Sequence, residues 1–227
     1  MTSETQAREE ICRVGRSLFE RGYVHTTAGN ISVRLGDGFL ITPTDACLGF
    51  LDPARLARLD AQGRQTDGDR ASKTIALHMR IYNAARQFDA ATACVIHTHS
   101  THCVALSMAD GHGGELLPAV TPYFVMKVGR VPLIAYHRPG APEAAEAAAQ
   151  AIAVYGARGT PIRALMLARL GPNVWHDTPA AAMATLEELE ESARLWWLAG
   201  SRAGNALPPP LAEAQIDELR RSFGARW

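Results

Sequence analysis

The two histidines His97 and His99 are separated by one residue and end a run of small and β-branched residues that starts at position 93. Side chains alternate between the faces of a strand, so both imidazoles leave the same face if residues 93–99 form a strand. Two neutral imidazoles about 6 to 7 Å apart along a strand can share one divalent metal ion. For any single histidine, packing or hydrogen bonding is the ordinary role. A third imidazole, His102, follows closely, and the cluster favours a metal site where the strand ends.

Three further segments contain residues that can bind an anion. Residues 25–32 combine small and hydroxyl side chains with a glycine, which lets the backbone approach a ligand, although a plain turn before a hairpin is the simpler interpretation. Residues 42–45 follow a predicted strand, where hydroxyls can bind a phosphate or cap the next helix. Residues 68–74 open a predicted helix, and Ser72 and Lys73 there could form an anion pocket or only a solvated helix cap.

Size and composition point to one globular α/β domain that spans residues 1–227. The chain is 47% hydrophobic and 20% charged, which allows a core large enough to need no disulfides. Lys plus Arg and Asp plus Glu are equal at 23 each, so neither nucleic acid nor an anionic membrane is expected as a partner. The four cysteines show no CxxC spacing, which indicates reduced thiols and a cytoplasmic protein. No apolar run reaches the length of about 20 residues that a membrane-spanning helix requires.

Hydrophobic spacing predicts strands that interleave with helices, as in an α/β layered domain. The predicted helices are residues 3–21, 68–86, 103–108, 142–154, 178–198 and 213–223. The predicted strands are residues 31–34, 39–42, 93–99, 120–123, 131–136 and 163–167, and residues 51–60 form a short helix and strand. Gly171 and Pro172 are expected to turn the chain, residues 111–114 to form a loop, and residues 207–227 to hold a stiff linker and the last helix.

Taken together, five motifs resemble those of the class II aldolase/adducin family in identity and order. They are residues 27–32, 42–44, 71–73, 97–101 and 136–140. Within that family, residues 48–53, 121–123 and 186–191 are most similar to the 3-oxo-tetronate 4-phosphate decarboxylases. The resemblance implies a three-layer α/β/α fold with a mostly antiparallel central sheet. It also implies a homotetramer with active sites between subunits and a divalent metal, usually Zn²⁺.

The resemblance assigns roles to individual positions. His97 and His99 match two metal-ligand histidines, and Tyr123 matches a catalytic tyrosine that enters from a neighbouring subunit. The positions that match the family's phosphate-binding residues are Gly29, Asn30, Thr42, Thr44, Ser72 and Lys73.

Two positions depart from the family pattern. Thr74 stands where the aldolases have a catalytic glutamate, and Leu170 stands where most members have a third histidine ligand. The side chains that could fill the missing ligand position are His25, Asp45, His102 and His137. His137 ranks first among them because it lies in a family motif where tyrosine is usual.

The departures favour decarboxylation over aldol cleavage. An aldolase needs a base to remove a proton, whereas a 3-oxo acid that loses CO₂ needs only stabilisation of the enediolate left behind. Thr74 would also spare the substrate carboxylate a like-charged neighbour, and Tyr123 or a water would protonate the carbon. The predicted reaction is metal-dependent decarboxylation of a 3-oxo-tetronate 4-phosphate to dihydroxyacetone phosphate. The alternatives are an aldolase for fuculose or ribulose phosphate and a catalytically silent, adducin-like interaction protein.

Overall fold

The computed structural model describes residues 3–108, 114–201 and 207–227, and a single eight-stranded sheet organises them. Its strands are β1 (Asn30–Arg34), β2 (Gly38–Ile41), β3 (Ala57–Asp60), β4 (Gln65–Asp67), β5 (Cys94–His97), β6 (Leu133–Ile134), β7 (Ala164–Leu167) and β8 (Gly171–His176). The strand order is β4-β3-β2-β1-β5-β8-β7-β6, and every neighbouring pair is antiparallel except β6 with β7. The mostly antiparallel sheet expected from the sequence is therefore confirmed.

Helices cover both faces of this sheet. They are α1 (Glu4–Glu20), α2 (Ile75–Ala85), α3 (Thr101–Leu106), α4 (Pro142–Ala157), α5 (Pro179–Gly200) and α6 (Glu213–Phe223). One buried core joins α1, α3, α5 and α6 to one sheet face, and a second core joins α2 and α4 to the other. Strand β5 shows the division, since Ile96 points into the first core and Val95 into the second. The three-layer α/β/α architecture is confirmed. In the part of the chain that the structure describes, no helix is long and apolar enough to cross a membrane.

Elements with strong local signals lie where the sequence predicts them. Helix α1 begins with a capping box in which the Ser3 hydroxyl accepts from the Gln6 N–H and the Gln6 side chain accepts from the Ser3 N–H. Strands β1 and β2 form the predicted hairpin, and the last helix has the predicted bounds.

Other predicted elements differ from the structure in their bounds or their type. The predicted strand at residues 131–136 is shortened to Leu133–Ile134, and the helix predicted at 103–108 spans Thr101–Leu106. Helix α2 begins at Ile75 and not near residue 68, so Ser72 and Lys73 precede it. Strand β5 ends at His97, which places His99 in the segment that follows. Residues 120–123 form no strand, and a π-helical turn follows them at Phe124–Val128. The predicted loop at 111–114 lies outside the described residues except for its last position.

The predicted turn at Gly171 and Pro172 is also wrong, because both residues belong to β8. This strand pairs with β5 on one side and β7 on the other. A Cβ on Gly171 would lie 1.8 Å from the Thr98 carbonyl oxygen, so only glycine permits the two chains to approach this closely. The glycine thus serves close packing between strands and brings β8 beside the histidine segment.

A buried hydrogen-bonded group connects α2 to the sheet. The Ser32 hydroxyl lies 2.8 Å from both His78 Nδ1 and the Tyr82 hydroxyl, and the Tyr82 hydroxyl donates to the Ser32 carbonyl at 3.0 Å. Burial, with a smaller contribution from His97, lowers the pKa of His78 from 6.5 to about 3. The group therefore holds a neutral imidazole beneath the first turn of α2.

This lowered pKa predicts acid sensitivity. Between pH 6.5 and about 3 the unfolded chain binds a proton at His78 that the folded chain excludes, so stability falls as the pH falls. The expected slope from His78 is about 1.4 kcal/mol per pH unit. Urea unfolding at several pH values gives the free energy of unfolding as a function of pH. In His78→Gln this free energy should depend on pH less steeply than in wild type, by the equivalent of about one proton. An unchanged slope would contradict the buried neutral imidazole.

Candidate metal and anion site

The predicted site residues gather around one cavity of about 320 Å³ between the sheet and the segments that lead into α2 and α4. Its walls come from residues 27–30, 43–45, 72–74, 76, 77, 97, 99, 135, 137–142, 144 and 145, together with Leu167 and Leu170. The predicted site residues that line it are Gly29, Asn30, Thr44, Ser72, Lys73, Thr74, His97, His99 and His137. Thr42 and Tyr123 are not among the lining residues.

His97 is buried and has a fixed orientation. Its Nδ1 donates to the Pro172 carbonyl oxygen at 3.0 Å, which leaves Nε2 as the free nitrogen. Burial, together with the nearby His99, lowers the pKa of His97 to about 3, although the hydrogen bond to Pro172 opposes the shift. Burial and the neighbouring His25 also lower the pKa of His99. Both imidazoles are therefore neutral near pH 7, which is the form that binds a metal.

The separation of these two rings fits a shared metal. Their centres lie 5.1 Å apart. An imidazole bound at about 2.0 to 2.1 Å has its ring centre about 3.2 Å from the metal, so two rings on a tetrahedral ion lie about 5.2 Å apart. Among the described residues, however, no three His, Cys, Asp or Glu side chains are already grouped to hold a metal. The described structure therefore brings together two imidazoles that could share a metal, without a third side chain of these types grouped beside them.

The four candidates for the third ligand lie in different surroundings. His137 and Asp45 line the cavity. His102 is held elsewhere, because its Nδ1 and its backbone N–H each lie 2.8 Å from Glu190 Oε1. The ring centre of His25 lies 6.3 Å from that of His99.

Other residues that line the cavity carry hydroxyls and a cation. Ser72 is buried, and its Oγ lies 2.8 Å from Thr74 Oγ1. Lys73 is exposed and has no acidic partner among the described residues. Gly29 has a φ of +85°, and a Cβ there would lie 2.9 Å from the His97 carbonyl oxygen. Glycine is therefore required where this loop passes the strand that ends at His97.

Two predicted site residues, Thr42 and Tyr123, do not line the cavity of their own chain. Thr42 is buried, and its hydroxyl accepts from the Ile31 N–H at 3.2 Å, so the side chain supports the backbone next to Asn30. Tyr123 is 62% exposed, and its ring is available to a neighbouring molecule.

Two residues of the site region were missed by sequence reasoning. Arg138 lines the cavity as a second cation beside Lys73, and its place in a family motif was the available signal. Asn173 lies opposite His97 in the pairing of β5 with β8 and is fully buried. Its side-chain nitrogen and oxygen have no partner among the described residues, as is also true of Asn30 Oδ1. Nothing in the sequence predicted a strand at Asn173.

The fold and the site together define a class of protein. It is a three-layer protein in which a neutral imidazole pair, at the end of a central strand of a mostly antiparallel sheet, lines one cavity together with hydroxyls and cations. The model of the Class II Aldolase and Adducin N-terminal domain family matches residues 9–197, and the chain belongs to this family.

Individual relatives extend the similarity over the whole chain. A 3-oxo-tetronate 4-phosphate decarboxylase from Cupriavidus necator is 49% identical over 228 residues, which cover 100% of both chains. The crystal structure of YgbL from Klebsiella pneumoniae is 37% identical, with a TM-score of 0.83 over 97% of this chain and 100% of that one. An L-fuculose-1-phosphate aldolase from Thermus thermophilus is 27% identical, with a TM-score of 0.72 over 88% of this chain and 98% of that one.

Proposed function

We propose that this protein is a metal-dependent carboxy-lyase that converts a 3-oxo-tetronate 4-phosphate to dihydroxyacetone phosphate and CO₂. The observation that carries the proposal is the 49% identity, over the full length of both chains, to a 3-oxo-tetronate 4-phosphate decarboxylase. The cavity is consistent with it, because neutral imidazoles and cations face a space suited to a small phosphorylated acid. The aldolase alternative is weaker because Thr74 is not a base at neutral pH.

The chemistry requires stabilisation of negative charge at the 3-oxo oxygen. When the bond from C2 to the carboxyl carbon breaks, its electron pair moves into the enediolate formed by C2, C3 and the 3-oxygen. His97 and His99 would hold a divalent metal, which would supply positive charge at this oxygen, and Zn²⁺ suits imidazole ligands. A third protein ligand would come from one of the four candidates named above; His137, which the sequence ranks first, and Asp45 line the cavity. A proton delivered to C2 then completes dihydroxyacetone phosphate.

The remaining residues bind and orient the substrate. We assign the phosphate to Ser72, Lys73, Thr44 and the backbone of the loop that contains Gly29 and Asn30. Thr42 acts through its hydrogen bond to Ile31 and keeps this loop in place. Thr74 orients the Ser72 hydroxyl through their 2.8 Å contact without adding negative charge near the substrate carboxylate.

Tyr123 has its role in an assembly. We propose a homotetramer in which Tyr123 of one subunit reaches the cavity of the next and protonates C2. The exposed position of Tyr123, outside the cavity of its own chain, supports this arrangement. The four free cysteines are consistent with a reducing compartment, and we propose a cytoplasmic location.

The direct test is a product assay on the purified, metal-loaded protein. Both stereoisomers of 3-oxo-tetronate 4-phosphate are supplied, and CO₂ and dihydroxyacetone phosphate are measured. We expect equal amounts of the two products from at least one isomer and no measurable cleavage of L-fuculose or L-ribulose phosphate. Retro-aldol cleavage by the unmodified protein would overturn the decarboxylase assignment, and absence of metal and phosphate binding would favour the silent interaction protein.

A substitution of Lys73 tests the phosphate assignment. Lys73→Met keeps the apolar part of the side chain and removes the charge, and a charge-assisted contact contributes about 1.5 to 3 kcal/mol. We expect KM to rise about 10- to 150-fold with little change in kcat, because phosphate is bound equally in the ground and transition states. Steady-state kinetics should show Lys73→Arg retaining most of the affinity. Unchanged kinetics of Lys73→Met would place the phosphate elsewhere.

A further inference from the structure

We propose that His25 supplies the third imidazole of the metal site, in place of the histidine that Leu170 replaces. The inference deepens the proposed function, since it names a ligand of the same site. It does not depend on the reaction, because metal binding is measured without substrate.

The first support is the arrangement of rings around His99. In the described parts of the chain, this ring has two imidazole neighbours, with centres 5.1 Å away in His97 and 6.3 Å away in His25. The first distance already matches two ligands of one tetrahedral ion, for which the expected value is about 5.2 Å. The second exceeds that value by about 1 Å. A movement of the His25 ring towards His99 by about 1 Å would bring this pair to the separation expected for two ligands of one ion.

The second support is the position of His25 in the chain. The preceding residue, Val24, is buried in the core, and the His25 carbonyl accepts from the Ala28 N–H at 2.9 Å, so the backbone is anchored. The side chain is exposed and makes no hydrogen bond to another described residue. Rotation about its χ angles can move such a ring by about 1 Å without disturbing packing. The anchored turn leads directly into the Gly29 and Asn30 segment of the cavity.

The other candidates are less favourable. His102 is hydrogen-bonded to Glu190 outside the cavity. His137 lines the cavity but is not among the ring neighbours of His99 in the described structure. Leu170 lines the same cavity with a hydrocarbon side chain that cannot bind a metal.

Metal affinity tests the inference. Metal-free wild type, His25→Ala and His137→Ala are titrated with Zn²⁺ against a competing chelator and with Co²⁺, whose visible absorption reports the number of ligands. We expect His25→Ala to weaken affinity at least about 100-fold, because even the loss of a residue that only orients a ligand costs about 10- to 100-fold. We also expect His25→Ala, and not His137→Ala, to alter the Co²⁺ spectrum. Thermal unfolding in chelator should be the same for wild type and His25→Ala, since the ring is exposed.

The outcomes separate this inference from the proposed reaction. An affinity of His25→Ala within twofold of wild type, or a loss confined to His137→Ala, would overturn the role of His25. Tight metal binding that depends on His25, without CO₂ release, would support the role of His25 and contradict the proposed reaction. Conversely, if the protein releases CO₂ and its metal affinity does not depend on His25, the proposed reaction is supported and the role of His25 is contradicted.

Discussion

Replacement of His99 by alanine, or removal of the metal by a chelator, is expected to lower CO₂ release at least about 1000-fold. Positive charge at a developing oxyanion contributes several kcal/mol, and about 4 kcal/mol corresponds to that factor. His99 is the better position to change, because it is partly exposed, whereas His97 is buried and its loss would also disturb packing. The measurement is kcat for CO₂ release, with metal content determined on the same samples.

Two controls make this result specific to the metal. Activity should return to the chelated wild type when Zn²⁺ is added back, and should not return to His99→Ala at the same concentration. Leu170→His places an imidazole where most family members have one, so it should bind metal more tightly and resist chelator for longer. Full CO₂ release after rigorous metal removal would show that the imidazole pair is not part of the catalyst.

The second large effect is expected at Thr74, where a carboxylate should be harmful to a decarboxylase. Thr74→Glu places a negative charge next to Ser72, which lies 2.8 Å from the native hydroxyl. That charge repels both the phosphate and the carboxylate of the substrate, and we expect kcat/KM to fall about 100-fold, equivalent to about 2.7 kcal/mol. Kinetics for CO₂ release and for cleavage of fuculose phosphate should be measured side by side.

Thr74→Gln is the matched control, because glutamine has the size of glutamate without its charge. We expect its loss of kcat/KM to be at least tenfold smaller than that of Thr74→Glu. Equal losses in the two variants would mean that size and the broken Ser72 contact cause the effect. A Thr74→Glu protein that releases CO₂ as fast as wild type would remove the electrostatic reason for threonine at this position.

The sequence by itself determined the features whose signals lie within a few residues. Ser3 and Gln6 specify the start of α1 through a capping box, and the bounds of α6 were predicted correctly. The hairpin of β1 and β2 followed from alternation and a glycine turn. Membership of the family could also be predicted from the sequence, because the residues of each motif lie close together along the chain.

The tertiary structure alone decided the features that depend on the order of strands. Gly171 was predicted to turn the chain, yet it lies within β8. A glycine occurs there because β8 packs closely against the segment that follows β5, where a Cβ would clash with the Thr98 carbonyl oxygen. This pairing buries Asn173 opposite His97, and no local pattern indicated it. His25 lies near His99 because β1, which follows His25, pairs with β5, which precedes His99. Contacts between residues far apart in the chain are set by which strands pair and pack, and the spacing of residues within one element carries no information about that choice.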